Sequence, residues 1–244
     1  ITATQDSLLA VIREVQRRRQ RPAPGTLPKL FSAAARFICT VPELDPYRKQ
    51  RHEPAAGPFS PVPPPMPFPK KSGFFAYLAA DAPTFKSAVM GLAAVPFPGS
   101  FYIRRPPDSI VKMLTGKGHH VYPTPAPIID VLREVPLIAH HGGVGTTETA
   151  LGIGRPQLLF PRHLEQKLTA AALTELGVGL APPREADEKL VVALVQKLVK
   201  EQPHGARAQK FAHTLQARGS VDNVARIVER CCEIIGSRAT AASA

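Results

Sequence analysis

Residues 140–166 read His-His-Gly-Gly-Val-Gly-Thr-Thr-Glu-Thr-Ala-Leu-Gly-Ile-Gly-Arg-Pro-Gln-Leu-Leu-Phe-Pro-Arg-His-Leu-Glu-Gln. Two strand-to-helix turns follow one another in this stretch. An apolar strand ends at Ala139, and Gly142, Gly143 and Gly145 let the backbone turn sharply and approach a neighbour closely. A helix then starts near residues 145–147. A second short strand, 157–160, stops at Pro161, and Glu165 and Gln166 open the next helix. Successive strand–turn–helix units of this length need parallel strands joined by helical crossovers. This segment therefore commits the chain to an α/β fold whose strand ends share one edge.

The rest of the second half repeats the alternation. Strands are predicted at residues 74–79, 100–103, 120–122, 136–139, 157–160 and 178–181. Helices are predicted at 84–94, 109–114, 127–133, from about 146, and at 164–176, 185–200, 204–218 and 221–235. The expected architecture is a Rossmann-like parallel sheet with helices on both faces, which binds ligands outside the carboxyl ends of its strands. The first half differs. Leu8, Val11, Ile12 and Val15 mark one face of a helix over 7–19, with Asp6 or Ser7 as cap, and 35–41 reads as a strand. Residues 54–69 hold eight prolines in sixteen positions, which excludes a helix or central strand and predicts a stiff, extended linker. A Pro-rich ligand for a partner's groove is the lesser alternative.

Charge and cysteine content narrow the class. The net charge is +12, and residues 1–72 supply +7 of it, with Arg17, Arg18, Arg19 and Arg21 clustered at the end of the first helix. Cations there suit the helix dipole. Peripheral contact with an anionic membrane remains open, whereas nucleic acid is not expected, because the chain lacks Trp, aromatic interleaving and any zinc or RNP motif. No run of eighteen apolar residues occurs. Cys39, Cys231 and Cys232 make neither a disulfide framework nor a metal-ligand spacing, which fits a reducing cytoplasm. No metal site is expected.

The two turns carry the chemistry. At the first, the helix-start amides have no partners within the helix and carry partial positive charge, which attracts an anion. Thr146 and Thr147 add hydroxyls, and His141 is expected to donate to a phosphate oxygen. The sum suits a diphosphate. His140 is expected to support the turn. The chain lacks a P-loop, and no G-x-G-x-x-G follows its first strand. At the second turn, Glu165 and Gln166 offer a carboxylate and an amide to vicinal sugar hydroxyls. The plainer alternatives are a tight connecting turn and a carboxylate that complements a helix dipole.

The pattern H-H-G-G-x-G-T-T, then G-x-P-Q, then P, then D/E-Q resembles the donor-site signature of GT-B glycosyltransferases of the UDP-glycosyltransferase type. The closest resemblance is to the bacterial branch that decorates macrolides and similar natural products. It is met here by residues 140–147, by Gly154, Arg155, Pro156 and Gln157, by Pro161, and by Glu165 and Gln166. The resemblance extends more loosely over 74–235, the C-terminal half of such an enzyme. It implies that His141, Gly143, Gly145, Thr146 and Thr147 hold the diphosphate and that Glu165 and Gln166 hold the donor sugar. It places the nucleobase near Pro127 and Ile128. The donor would be a UDP- or TDP-sugar, with no cofactor, and the acceptor hydroxyl would belong to a small molecule or a lipid. Three positions depart from the family: Ile128 follows Pro127 in place of Gln, the loop at 79–83 is not of Gly-Ser type, and Glu148 follows the two threonines.

The implied organisation is the tail of an incomplete N-terminal domain at 1–53, a Pro-rich linker at 54–72, a nucleotide-sugar-binding domain at 73–236 and a disordered tail at 237–244. The chain opens on Ile1, so its true start is expected upstream, and the family's catalytic base is expected on the absent domain. His119, His120, His163, His204 and His213 are expected to be surface or loop residues rather than catalysts. The activity implied is hexosyl transfer. The alternative is a non-catalytic nucleotide-sugar-binding or auxiliary protein.

Overall fold

The computed structural model describes residues 2–200, 202–219 and 222–242. The chain forms two compact units, residues 38–226 and residues 1–37 with 227–244. The larger unit is built on six strands: β1 (Phe74–Ala79), β2 (Gly99–Arg104), β3 (His120–Tyr122), β4 (Ile138–His140), β5 (Gln157–Leu159) and β6 (Gly179–Leu180). All neighbouring pairs are parallel, in the order β3-β2-β1-β4-β5-β6. The order reverses between β1 and β4. In an open sheet of this kind a crevice forms at that reversal, outside the carboxyl ends of the strands.

The core follows from alternation along β1. Phe74, Ala76 and Leu78 point to one face, where they pack with helix α3 (Phe85–Ala93) and helix α8 (Glu188–Lys200). Val191, Val195 and Leu198 recur on one side of α8 at helical spacing and are buried there. Gly91 lets the two helices meet, since a Cβ on it would lie 2.5 Å from Val191 Cβ. On the opposite face Phe75 packs with Leu132 of helix α5 (Ile128–Glu134) and Ile153 of helix α6 (Val144–Ile153). Each fully buried side chain of this size contributes about 1.5–3 kcal/mol. The remaining helices of this unit are α4 (Asp108–Gly116), α7 (Leu164–Glu175), α9 (Gln202–Ala217) and the first turn of α10 (Asn223–Ala242). The smaller unit contains α1 (Thr2–Arg18), α2 (Leu27–Leu30) and the rest of α10.

Several expectations change. Residues 35–41 form no strand, and every strand among the described residues lies in the one sheet; the Ile38 carbonyl accepts from the Ala56 amide at 3.0 Å, a bond to the Pro-rich segment rather than to a strand. Helix α1 starts at Thr2, so Asp6 and Ser7 lie inside it, and the Ser7 hydroxyl donates to the Ala3 carbonyl instead of capping. Helix α10 continues to Ala242, past the expected helix end at 235 and into the segment 237–244 expected to be a disordered tail, of which residues 243–244 lie outside the described set. His204, expected at the surface or in a loop, is instead buried within α9, where Nδ1 donates to the Gly177 carbonyl at 2.9 Å; His119 lies in the loop before β3 as expected, but buried, its Nδ1 accepting from the Gly99 amide at 3.1 Å.

Residues 38–72 form a single 3-10 turn at Pro42–Leu44 and turns at 46–50, and through the Pro-rich stretch 54–69 they form no helix or strand, as the prolines require; they are fastened along the sheet domain. Val41 and Leu44 enter the core beside Leu151, Leu159 and Leu173. A Cβ on Gly152 would fall 2.3 Å from Val62 Cγ1, so only glycine lets this strand of chain lie on α6. Arg155, with no exposure, sends Nη2 to the Pro67 carbonyl at 2.8 Å, Nη1 to the Met66 carbonyl at 3.2 Å and Nε to the Leu132 carbonyl at 2.8 Å. Gln209 adds a bond to Gly154 O at 2.8 Å and another to Met66 O at 3.1 Å. Prolines bring no N–H groups that would need partners, which suits a covering segment of irregular backbone.

Candidate functional site

The crevice at the β1/β4 reversal is walled by the turns that follow β1, β4 and β5. Gly142 stands at φ +89°, a left-handed conformation that glycine adopts without strain, and a Cβ there would press on Leu159 Cδ2 at 3.2 Å and on the Gln166 carbonyl at 3.3 Å. The turn after β4 is thus packed against the start of α7, and the two turns singled out in the sequence are neighbours. Above Gly143 and Gly145 the space is open, with nothing within 4 Å of a Cβ at either position. Gly143 caps α6 without a side-chain bond. The first backbone amide of α6 to find a carbonyl is that of Thr147, on Gly143 O at 2.9 Å. The N–H groups of Val144, Gly145 and Thr146 precede it and have no i−4 partner within the helix. They lie at the positive end of a ten-residue helix.

The histidine pair locks this turn. His140 is buried, donates through Nε2 to Gln157 Oε1 at 2.8 Å and accepts at Nδ1 from the Gly142 amide at 3.1 Å. Gln157 passes the chain on to the Thr147 carbonyl at 3.3 Å. His140 therefore supports the turn, and Gln157 links it to the base of α6. Burial pushes the imidazole down to about 4, so it stays neutral near pH 7. His141 differs from the expected phosphate donor. Its Nδ1 donates to the Phe160 carbonyl at 2.8 Å, and its Nε2 accepts from the Ala79 amide at 2.9 Å. Both nitrogens are engaged, and the ring ties together the ends of β1, β4 and β5. Burial holds its pKa below the ordinary value.

The other expected residues divide. Thr146 is half-buried at the helix start, but Thr147 is wholly buried and its hydroxyl has no partner, so it does not face the open side. Glu165 is exposed in the first turn of α7. Gln166 uses Oε1 to accept from the Arg162 amide at 2.8 Å, which leaves its NH2 group for a ligand. Pro127 caps α5, and the Ile128 side chain packs into the cluster formed by Phe75, Ala150 and Ile153. Glu148 points away from the crevice: Oε1 accepts from Thr40 Oγ1 at 2.7 Å and from the Val41 amide at 3.2 Å. Burial raises its pKa against the pull of those two bonds.

Charges around the crevice were not foreseen. Asp81, in the turn after β1, takes two bonds at 3.1 Å from Arg104 and pairs with Arg162 at 3.3 Å. The Arg104 bonds hold its carboxyl below the usual range. Arg162 was visible in the second turn, but its partner 81 positions away was not. No group of three or more His, Cys, Asp or Glu side chains is placed to hold a metal among the described residues, and no described helix is long and apolar enough to cross a membrane.

Comparison with known proteins agrees with this geometry. Residues 124–232 match the family model described as Erythromycin biosynthesis protein CIII-like, C-terminal domain. The vancomycin aglycone glucosyltransferase of Amycolatopsis orientalis is 40% identical over 88 residues, which are 35% of this chain and 21% of that protein. The L-demethylnoviosyl transferase of Streptomyces niveus is 33% identical over 87 residues, 35% of this chain and 23% of that protein. The matches thus span less than a quarter of either relative's length. Among solved structures, glycosyltransferase VinC in complex with dTDP superposes with a TM-score of 0.59 at 19% identity, over 75% of this chain and 49% of that one. The calicheamicin glycosyltransferase CalG4 superposes with a TM-score of 0.65 at 16% identity, over 91% of this chain and 58% of that one. The resemblance read from residues 140–166 holds. The matched region is similar to the C-terminal half of glycosyltransferases from bacterial natural-product pathways, and the sheet has their fold.

Proposed function

We propose that residues 38–226 bind a nucleoside-diphosphate sugar, UDP- or TDP-linked, as the donor half of a hexosyltransferase that inverts the anomeric centre and acts on an acceptor hydroxyl without a metal. The carrying observation is the row of free amides at Val144, Gly145 and Thr146, opening on empty space at the topological reversal of the sheet. As the bond from the anomeric carbon to the diphosphate breaks, negative charge grows on the leaving oxygens. Fixed N–H dipoles aimed there stabilise it without reorganisation. Arg162 adds a cation at the same edge. With one ring nitrogen donating to Phe160 O and the other accepting from the Ala79 amide, His141 acts as the post that holds three strand ends together.

The exposed carboxylate of Glu165 and the free NH2 group of Gln166 then serve the sugar hydroxyls. With Ile128 turned into the core, a nucleobase would meet backbone at Pro127 and the exposed Ile129 side chain. The acceptor, a small molecule or lipid, and the base that deprotonates it are assigned to no described residue. A cytoplasmic setting, where nucleotide sugars are soluble, goes with this function.

Calorimetric titration of the chain with UDP, TDP and GDP tests the proposal, beside Gly145→Asp. The Cβ of that substitution has no protein atom within 4 Å, and its carboxylate places a like charge at the phosphates. UDP or TDP binding that weakens by about tenfold or more in the variant is expected. A folded chain that binds neither nucleotide, or a variant that binds as well as the parent, would overturn it.

A further inference from the structure

A cavity of about 600 Å³ in the sheet domain is not the turn at 141–147 and shares no lining residue with it. It opens at the carboxyl ends of β5 and β6, between the start of α3 and one side of α7. Its volume lies within the range of about 300–1,000 Å³ that small-molecule sites occupy. Two features give it chemical character. The lining is largely apolar: Phe160, Ala170, Ala171, Ala181 and four prolines. Lys167 and Arg184 bring two positive charges with no ion-pair partner among the described residues, and Arg162 adds a third, paired with Asp81.

We infer that this cavity binds a small amphipathic anion, an acidic head group on a compact apolar body, at a site separate from the free amides of α6. The head group meets Lys167 and Arg184 at the rim, and the body lies along the alanine and proline wall. Neither cation is used by the fold, so both are available without breaking an existing pair. A neutral body of the same shape would gain the apolar contacts alone.

The test uses the whole chain with 2-naphthoate as probe, 2-naphthalenemethanol as its uncharged counterpart and UDP as a competitor, followed by fluorescence and calorimetry. Naphthoate is expected to bind more tightly than the alcohol and to remain bound in the presence of UDP. A Lys167→Glu/Arg184→Glu double variant is expected to weaken it by about tenfold or more. Ala171→Phe, at an exposed wall position, is expected to fill the cavity and abolish binding of both probes while circular dichroism shows an unchanged fold. The inference is overturned if naphthoate fails to bind folded protein or is displaced by UDP. It is equally overturned if the charge-reversal or cavity-filling variant binds it like the parent. UDP failing to bind at all would leave this outcome intact and would count only against the donor site.

Discussion

The two ends of α6 treat the same kind of group in opposite ways. At its start, the N–H groups of Val144, Gly145 and Thr146 are left open beside empty space. At its end, Gly154 closes the helix at φ +82°, and the carbonyls of Ile153 and Gly154 are taken up by Arg155 and Gln209 beneath the Pro-rich segment. One end is finished by the protein, and the other is left open, where the proposed function places the diphosphate. Buried polar groups must find partners within the fold, whereas groups on an open crevice can be kept for a ligand. A functional end and a structural end of one helix are told apart by which polar groups remain unsatisfied and whether solvent reaches them.

The largest expected effect is at the finished end. Arg155→Ala removes a fully buried guanidinium and takes away the donors it sends to the carbonyls of Leu132 and Pro67, leaving Met66 O to Gln209 alone, with an expected loss of about 3–5 kcal/mol in urea unfolding. Burial lowers the Arg155 pKa only to about 10, so it is charged at neutral pH and no titration should appear near pH 7. A variant as stable as the parent would show that the Pro-rich segment does not depend on this residue.

Acid comes next. His140 is held neutral, with its pKa moved from 6.5 to about 4 in the fold. The unfolded chain therefore binds the proton first. The stability this histidine contributes is complete above pH 6.5 and is lost as pH falls towards 4, by about 3 kcal/mol. Glu148 acts in the opposite sense: its raised pKa means that its contribution is present at low pH and declines as pH rises through the folded value. His140→Asn should flatten the acid-side decline, and Glu148→Gln should steepen it by removing the opposing term. Denaturation midpoints from pH 7.5 to 4 measure both, and identical slopes in all three proteins would refute the assignment.

The finest contrast lies within the turn. Gly142→Ala forces a side chain into a left-handed backbone against Leu159 and the Gln166 carbonyl, at a cost of about 1–3 kcal/mol. Gly143→Ala, one residue on, meets nothing and should stay within about 0.5 kcal/mol of the parent. Equal thermal shifts for the two would show that the turn is not packed as described.

Much of this was legible in the sequence, for reasons that can be given residue by residue. Strand β1 matched its expected span because Phe74–Ala79 is a continuous apolar run, which only a strand buried on both faces needs. The adjacency of the two turns followed from parallel strands sharing an edge. What the sequence did not convey depends on distant partners. Prolines predicted an extended segment but not its fastening to Arg155, which sits 88 positions beyond Pro67. The spacing of the threonines did not reveal that Thr147 turns inward while Thr146 stays near the surface. His141 looked like a donor until the Ala79 amide and the Phe160 carbonyl were found on its two nitrogens.

The fastened segment also sets where this molecule can be trimmed. A recombinant piece begun at residue 73, just ahead of the first strand, would omit Val41, Leu44, Val62 and Met66. It would lay bare the side chains of Leu151, Leu159 and Leu173 on one face of the sheet. Such a piece would carry every group of the ligand crevice and still be sticky and short-lived. Beginning at residue 38 keeps the cover on, so the smallest durable module is set by its lid rather than by its sheet.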